Sequence, residues 1–217
     1  MENINLVVKY MPFLIRGLGY TLLVSAAAIV IAICVGVLLS LLRLSENRFL
    51  TALVNIYVSF VRGTPIIVQI FIIYYVIAMF GLDVSALVSG IVALSLNSGG
   101  FISEIIRGGM SSIPLGQFEA AQALSMPKYK IWSRIIFPQV FNCVMPQLTS
   151  EFINVIKMSP MLSVISVVEL TRSAQRLVTQ TYVTLPFYVA IGIIYFIVCA
   201  LLEEVVKYQE HRIKVKK

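Results

Sequence analysis

A short stretch near residue 150 combines opposite charges at helical spacing. Glu151, Asn154 and Lys157 follow one another at intervals of three residues within an otherwise apolar segment, so on a helix they form one drifting polar stripe. An ionisable group inside a membrane span costs at least about 2.5 kcal/mol, which makes it a candidate functional group. A carboxylate and an ammonium group match the two charges of a zwitterion. The stripe therefore has a functional and a structural interpretation. It is either a site for a small zwitterion, or a structural feature in which the charges form an internal ion pair or extend to the membrane surface.

Other polar residues also lie within or beside apolar segments. Asn97 could join the same site as an uncharged donor and acceptor, or it could serve polar packing between helices. Arg62, Glu104 and Arg107 each lie near an end of an apolar segment, and we interpret them as scaffold residues. The candidate site residues are Asn97, Glu151, Asn154 and Lys157.

The residue types that carry metal, redox or nucleotide chemistry are sparse. Cys34, Cys143 and Cys199 have apolar surroundings, no CxxC pair is present, and His211 is the one histidine. We therefore expect buried cysteines, no metal site and no catalytic residue. The sequence GxxxxGK[ST] is also absent, so this chain should not hydrolyse ATP or bind a cofactor itself.

The composition indicates the kind of protein that must position these side chains. Of 217 residues, 59% are hydrophobic and 12% are charged, against roughly 45–50% and a quarter in soluble domains. The mean hydropathy is +0.93. Because a soluble core needs more polar cover than this, the composition excludes a cytosolic enzyme, a disordered tail and a secreted disulfide scaffold. We expect an all-α integral membrane protein, since helices satisfy their own backbone in lipid.

Charge-free segments predict five membrane-spanning helices within one domain, residues 1–217. The fourth span is interrupted by Glu151 and Lys157, and Pro160 should break its helix near the middle of the membrane. The predicted spans are, approximately, 17–42, 63–82, 84–103, 138–168 and 177–202.

The basic residues predict an orientation. With the C-terminus in the cytoplasm, eleven Lys and Arg residues of the loops lie inside and four lie outside, as the positive-inside rule requires. The N-terminus is then outside. The net charge of +7 would reflect cytoplasmic loops and not nucleic-acid binding, and the loop at 107–135 would be cytoplasmic.

Two short helices are predicted within this loop. Residues 117–124 are rich in alanine and other strong helix formers. Pro127 cannot continue that helix but can begin a second one, over 128–136. The first helix carries apolar residues at helical spacing beside Glu119. It is either an amphipathic surface helix or a helix that docks in a groove of a cytoplasmic partner.

Several motifs, in order along the chain, resemble those of ABC importer permeases. Glu119-Ala120-Ala121, followed by Ile136-Phe137-Pro138, resembles the EAA loop of that family. A lone EAA triplet would be a weak signal, but further segments resemble signatures of its polar amino-acid (histidine/glutamine-type) branch. These segments are GLGYTL (17–22), RGTP (62–65) with Gln69, NSGGFISEIIRGG (97–109), and FPQ (137–139) with Pro146.

The resemblance implies a type I ABC importer permease fold, in which the cytoplasmic helix-turn-helix couples the chain to an ATPase subunit. It assigns this coupling to Glu119, Ala120, Ala121 and Ser125. The family usually has glycine where Ser125 stands, and glycine permits a left-handed turn between the two helices. Ser125 then either bears the strain of that conformation or shapes the turn differently.

The resemblance also implies that the fourth span lines a central cavity. In the family the lysine of this span is followed by an aspartate, a threonine and a serine, whereas Lys157 is followed by Met158, Ser159 and Pro160. Met158 replaces the acidic residue that usually contacts the substrate's α-amino group. Glu151 could supply that charge instead.

The implied function is import of polar amino acids across the bacterial cell membrane. Glu169-Leu170 with Arg172, Ala174 and Gln175 resembles the cystine-type branch, so cystine or a related sulfur amino acid is the first expectation. A basic amino acid such as arginine is the alternative. From another class, a small ion-coupled secondary transporter would usually show paired repeats, which the sequence lacks.

The resemblance implies several partners, and no nucleic acid among them. The basic C-terminal tail would also lie against anionic membrane lipid. The implied partners are a dimer of ATP-binding cassette subunits that binds ATP and Mg, a second permease copy or paralogue, an extracytoplasmic solute-binding protein, and the amino-acid substrate.

Overall fold

Nearly all of the described chain is helical. The computed structural model describes residues 2–45, 47–82 and 84–215, and no β-strand occurs within these ranges, which confirms the predicted all-α fold. A π-helical turn covers Trp132–Ile136, and a 3-10 helix covers Ser159–Ile165. The α-helices are α1 Glu2–Leu44, α2 Arg48–Gly63, α3 Ile66–Met79, α4 Ala86–Ser111, α5 Leu115–Ala123, α6 Lys128–Ile131, α7 Phe137–Met158, α8 Leu170–Thr181 and α9 Leu185–Val215.

The central core forms where α1 packs along α4, the most extensive helix pair in the described fold. Gly99 permits this approach, because a Cβ atom added there would lie 2.6 Å from Val35 Cγ1. Val24, Ala28 and Leu94 are fully buried in the same region. Lipid gives helices little hydrophobic reason to associate, so close packing at small residues supplies much of the stability of such a pair.

Helices α2 and α3 meet at an angle of 114°. Pro65 stands at the N-cap of α3 and has no amide hydrogen to continue α2. The predicted span 63–82 therefore includes α3 and only the last residue of α2. Helix α2 was not predicted, because its charge-free run, residues 49–61 between Arg48 and Arg62, is shorter than the roughly 20 residues that cross a membrane.

The described helices provide three to five candidate membrane spans. Ile4–Leu44, Ala86–Ser111 and Leu185–Tyr208 are each long and apolar enough to cross a membrane, by length and composition alone. The bent pair α2–α3 and the bent path from α6 to α8 would each add one span if they count as broken spans. The first predicted span, 17–42, is the C-terminal part of a much longer helix, and the third, 84–103, ends within α4.

The helix that begins at α6 is broken after Met158, as expected from Pro160. A partly buried 3-10 helix follows, and the path bends by 46° before α8. Helix α8 ends at Tyr182, whose φ of 58° is left-handed, and α9 begins at Leu185. The predicted span 177–202 thus began too early, since 177–181 belong to α8.

The loop predicted at 107–135 contains two short helices, as expected, but its ends differ. Helix α4 continues to Ser111. Helix α5 takes the place of the predicted helix 117–124, and α6 begins directly after Pro127. From α6 the chain passes through the π-helical turn into α7. The predicted start of the fourth span at residue 138 therefore lies within a continuous helical path.

Candidate functional site

Glu151 lies on α7 against α4 and is only 6% exposed. Its Oε2 accepts a hydrogen bond of 3.2 Å from Asn154 Nδ2. The Ser98 hydroxyl of α4 lies beside the carboxylate as a hydrogen-bond donor, although Ser98 Oγ and Glu151 Oε1 each lack a partner of good hydrogen-bond geometry among the described residues. A buried carboxylate with an unsatisfied oxygen is energetically costly, so this group is suited to a cationic ligand.

Lys157 does not pair with Glu151. Its ammonium lies 3.6 Å from Glu203 Oε1 on α9, and both side chains are 52% exposed. The 3.6-residue period explains the separation, because two steps of three residues rotate Lys157 by roughly 120° away from Glu151. An internal Glu151–Lys157 ion pair, one of the alternatives for this stripe, is therefore ruled out for this conformation.

Met158 packs against the central core. The position that carries an acidic residue in the resembling family is thus apolar and partly buried in this chain. Ser159, the next residue, is fully buried, and its hydroxyl donates to the carbonyl of Ile156 at 2.9 Å. Within this turn, the local hydrogen bond satisfies the backbone where the α-helix ends.

Asn97 supports the bend between α2 and α3. It is 2% exposed, and its Nδ2 donates a hydrogen bond of 3.0 Å to Gln69 Oε1. Gln69 Nε2 in turn donates to the carbonyl of Val61 and to Thr64 Oγ1, at 3.0 and 2.8 Å. Of the two roles considered for Asn97, this geometry fits polar packing between helices, and it does not bring Asn97 to Glu151.

Three arginines surround Glu104 at the C-terminal end of α4. Arg43 of α1 and Arg107 of α4 approach its carboxylate to 2.5 and 2.7 Å, and Arg62 of α2 approaches to 3.5 Å. These ion pairs connect three helices, as expected for scaffold residues. Arg62 also lines a groove of about 340 Å³ that extends to Glu151.

Helix α5 presents only part of the predicted coupling motif to its surroundings. Glu119 and Ala120 are exposed. Ala121 is 3% exposed and packs in a cluster with Ile131 and Ile136. Ala121 thus fixes α5 to the chain's own helices, a role that the EAA pattern alone did not indicate.

Ser125 adopts the left-handed conformation, with φ of 53°. Its amide donates to the carbonyl of Gln122 at 2.8 Å, and the amide of Met126 donates to the carbonyl of Ala121 at 3.2 Å. This pair of bonds is the Schellman arrangement that commonly ends helices at glycine. Of the two alternatives for this turn, Ser125 therefore bears the strain.

A second buried carboxylate network, which was not predicted from the sequence, lies at the start of α8. Glu169 is fully buried and accepts from the amides of Thr171 and Arg172 at 2.8 and 2.6 Å and from Tyr195 Oη at 2.9 Å. An acidic residue directly before an amphipathic helix is an N-cap signal that could have identified it. Both carboxylate oxygens are satisfied here, in contrast to Glu151.

Comparison with known proteins places the chain in one family. Residues 28–215 match the family model described as a binding-protein-dependent transport system inner membrane component. A solved structure of an amino acid ABC transporter with histidines matches with a TM-score of 0.91 and 33% identity, over 95% of this chain and 96% of that chain.

Curated relatives agree with this match. The chain is 38% identical over 178 residues to a putative glutamine transport system permease protein of Rickettsia prowazekii, covering 80% of this chain and 82% of the relative. It is 36% identical to the L-cystine transport system permease protein of Bacillus subtilis, over 94% of this chain and 88% of the relative. It is 33% identical to the arginine transport system permease protein of the same organism, over 95% of each chain. The chain therefore belongs to the binding-protein-dependent transport system inner membrane components, and within them to the permeases of amino-acid ABC transporters.

Proposed function

We propose that this chain is the membrane-spanning permease subunit of an ATP-driven importer for polar amino acids, with cystine or a related sulfur amino acid as the favoured substrate. The L-cystine permease matches 94% of the chain at 36% identity, and a putative glutamine permease of Rickettsia felis matches 96% of it at 35% identity. The preference for cystine therefore rests on the segment Glu169-Leu170 with Arg172, Ala174 and Gln175, which resembles the cystine-type branch. Arginine is the second candidate, because the arginine permease matches 95% of the chain and a cationic side chain could pair with Glu151.

The observation that carries this proposal is the half-satisfied, buried carboxylate of Glu151. A carboxylate kept only for structure would have donors on both oxygens, as Glu169 has. An ammonium or guanidinium group of an amino acid would supply the donor that Oε1 lacks, while Asn154 orients Oε2. Lys157 would have to leave Glu203 to join this site, and Asn97 would contribute by fixing α3.

Helix α5 is the proposed coupling element to an ATPase subunit. Its exposed residues include Glu119, Ala120 and Leu124, and Leu124 is 77% exposed. An apolar residue beside small residues and a single carboxylate suits insertion into a groove of a partner. Ala121 holds the buried face of α5 against the rest of the chain, and Ser125 sets the direction of the chain after the C-terminal end of α5.

The proposed complex contains two ATP-binding cassette subunits, which bind ATP and Mg, and two permease chains, either identical or paralogous. A separate extracytoplasmic binding protein delivers the amino acid. Because this chain buries few residues of α9, that helix has apolar surface to place against lipid or a second permease.

The proposed orientation has five spans in the bacterial inner membrane, with the N-terminus outside and the C-terminus in the cytoplasm. The two bent paths then count as one span each. This arrangement puts α5 in the cytoplasm and α8 at the outer end of the fourth span.

The function is tested with the complex reconstituted in proteoliposomes. We would first titrate the cognate binding protein with the common amino acids and cystine, and then measure uptake of the tightest ligand with and without ATP inside the vesicles. The proposal requires uptake that depends on both ATP and the binding protein. Uptake that follows an ion gradient without ATP, or a ligand that is not an amino acid, would refute it.

A further inference from the structure

The groove beside Glu151 contains both signs of charge. Its volume is about 340 Å³, which exceeds that of a single amino acid. Residues of three helices line it, and Glu151 is among them. The lining residues are Arg62, Phe101, Glu104, Ile105, Arg107, Gln147 and Glu151.

Arg62 is the least constrained cation in this groove. Arg43 and Arg107 are within hydrogen-bonding distance of Glu104, at 2.5 and 2.7 Å, whereas Arg62 is 3.5 Å away, longer than an ordinary N–H···O bond. The Arg62 side chain is 55% exposed. Since two other arginines already neutralise Glu104, Arg62 can leave it without exposing an unpaired carboxylate.

We propose that Arg62 binds the α-carboxylate of the transported amino acid in this groove, while Glu151 binds its ammonium group. A guanidinium group is well matched to a carboxylate, because its planar donors can form two parallel hydrogen bonds. Lys157, the cation that the sequence first indicated for this task, is engaged with Glu203 outside the groove. This inference rests on the proposed function and adds the residue that recognises the backbone end of the substrate.

The carboxylate contact also connects the substrate to α2. Arg62 lies at the last turn of α2, directly before the 114° bend that Gln69 stabilises. A substrate that attracts Arg62 away from Glu104 therefore changes a contact between α2 and α4.

The test compares Arg62→Gln with Arg62→Lys and with a matched control, Arg48→Gln. Arg48 begins the same helix, is exposed and does not line the groove. For each purified permease–ATPase complex we would measure, without the binding protein, the Kd of L-glutamine, L-arginine and L-cystine and of their α-carboxamides, which lack the carboxylate charge.

We expect wild type and Arg48→Gln to bind the acid of the transported substrate more tightly than its amide. Arg62→Gln should weaken binding of the acid about tenfold or more, since a hydrogen bond to a charged group is lost, and should leave the amide nearly unchanged. Arg62→Lys should retain part of the preference. An unchanged acid-to-amide ratio in Arg62→Gln overturns the role of Arg62 alone. Failure of all three amino acids to bind the wild-type complex would overturn the substrate site in this groove, whereas the proposed function is refuted separately by uptake that does not depend on ATP and the binding protein.

Discussion

Asn97 Nδ2 donates a 3.0 Å hydrogen bond to Gln69 Oε1, and this bond supports the bend between α2 and α3. Gln69 uses its amide to satisfy the carbonyl of Val61, which the bend leaves without a helical partner. Two amides buried between helices thus hold a break in the backbone where lipid could not satisfy it.

Replacement of Gln69 by Leu should destabilise the protein by about 1–3 kcal/mol, because buried carbonyls and Asn97 lose their partner. The thermal midpoint of the detergent-solubilised chain measures this loss. Gln180→Leu is the control: Gln180 is exposed on α8, and its replacement should affect stability little. Equal midpoints for wild type and Gln69→Leu would contradict the structural role.

Ser125→Gly should stabilise the loop between α5 and α6. Serine bears a left-handed φ of 53° there, a conformation that costs a non-glycine residue about 1–2 kcal/mol. After the entropic cost of glycine we expect a gain of about 0.5–1 kcal/mol, visible as a higher thermal midpoint. Ser125→Ala, which retains the strain, should show no gain. A lower midpoint for Ser125→Gly would mean that the hydroxyl, and not the conformation, determines the stability of this turn.

The exposed and buried sides of α5 predict different results for its neighbouring residues Ala120 and Ala121. Ala120 is exposed, so Ala120→Trp should abolish copurification with the ATPase subunit while the permease stays folded. Ala121 is buried, so Ala121→Trp should instead overpack the loop and lower stability by about 1–3 kcal/mol. Thr179→Trp, exposed on α8, is the control and should change neither property. ATPase binding that survives Ala120→Trp would remove this face of α5 from the interface.

Orientation can be tested by labelling single cysteines on a background without the three native ones. A cysteine at Tyr182, which is 91% exposed, should react with an impermeant thiol reagent applied to intact cells. A cysteine at Lys128, exposed at the start of α6, should react only after the membrane is opened. The reverse labelling pattern would place α5 outside and exclude the proposed contact with a cytoplasmic ATPase.

Some features of this fold were predictable from local chemistry. Pro160 predicted the end of α7, and Pro127 the start of α6, because each ring removes an amide hydrogen that a helix would need. Other features depend on which helices pack together. Nothing local to Lys157 indicates that Glu203, 46 positions further on, is its partner. Likewise, the burial of Ala121 depends on how α5 lies against the helix that follows Pro127.

The central claim, that Glu151 binds the substrate, is tested most directly by uptake through reconstituted complexes that carry Glu151→Gln. Lys157→Met is the matched control. We expect Glu151→Gln to abolish most binding-protein-dependent uptake, because substrate binding loses about 2–5 kcal/mol. Assembly, basal ATP hydrolysis and the thermal midpoint should remain near wild type. Lys157→Met, which removes a half-exposed ion pair, should retain uptake. Normal uptake by Glu151→Gln, or uptake lost only together with a collapse in thermal midpoint, would contradict the assignment of Glu151 as the substrate's partner.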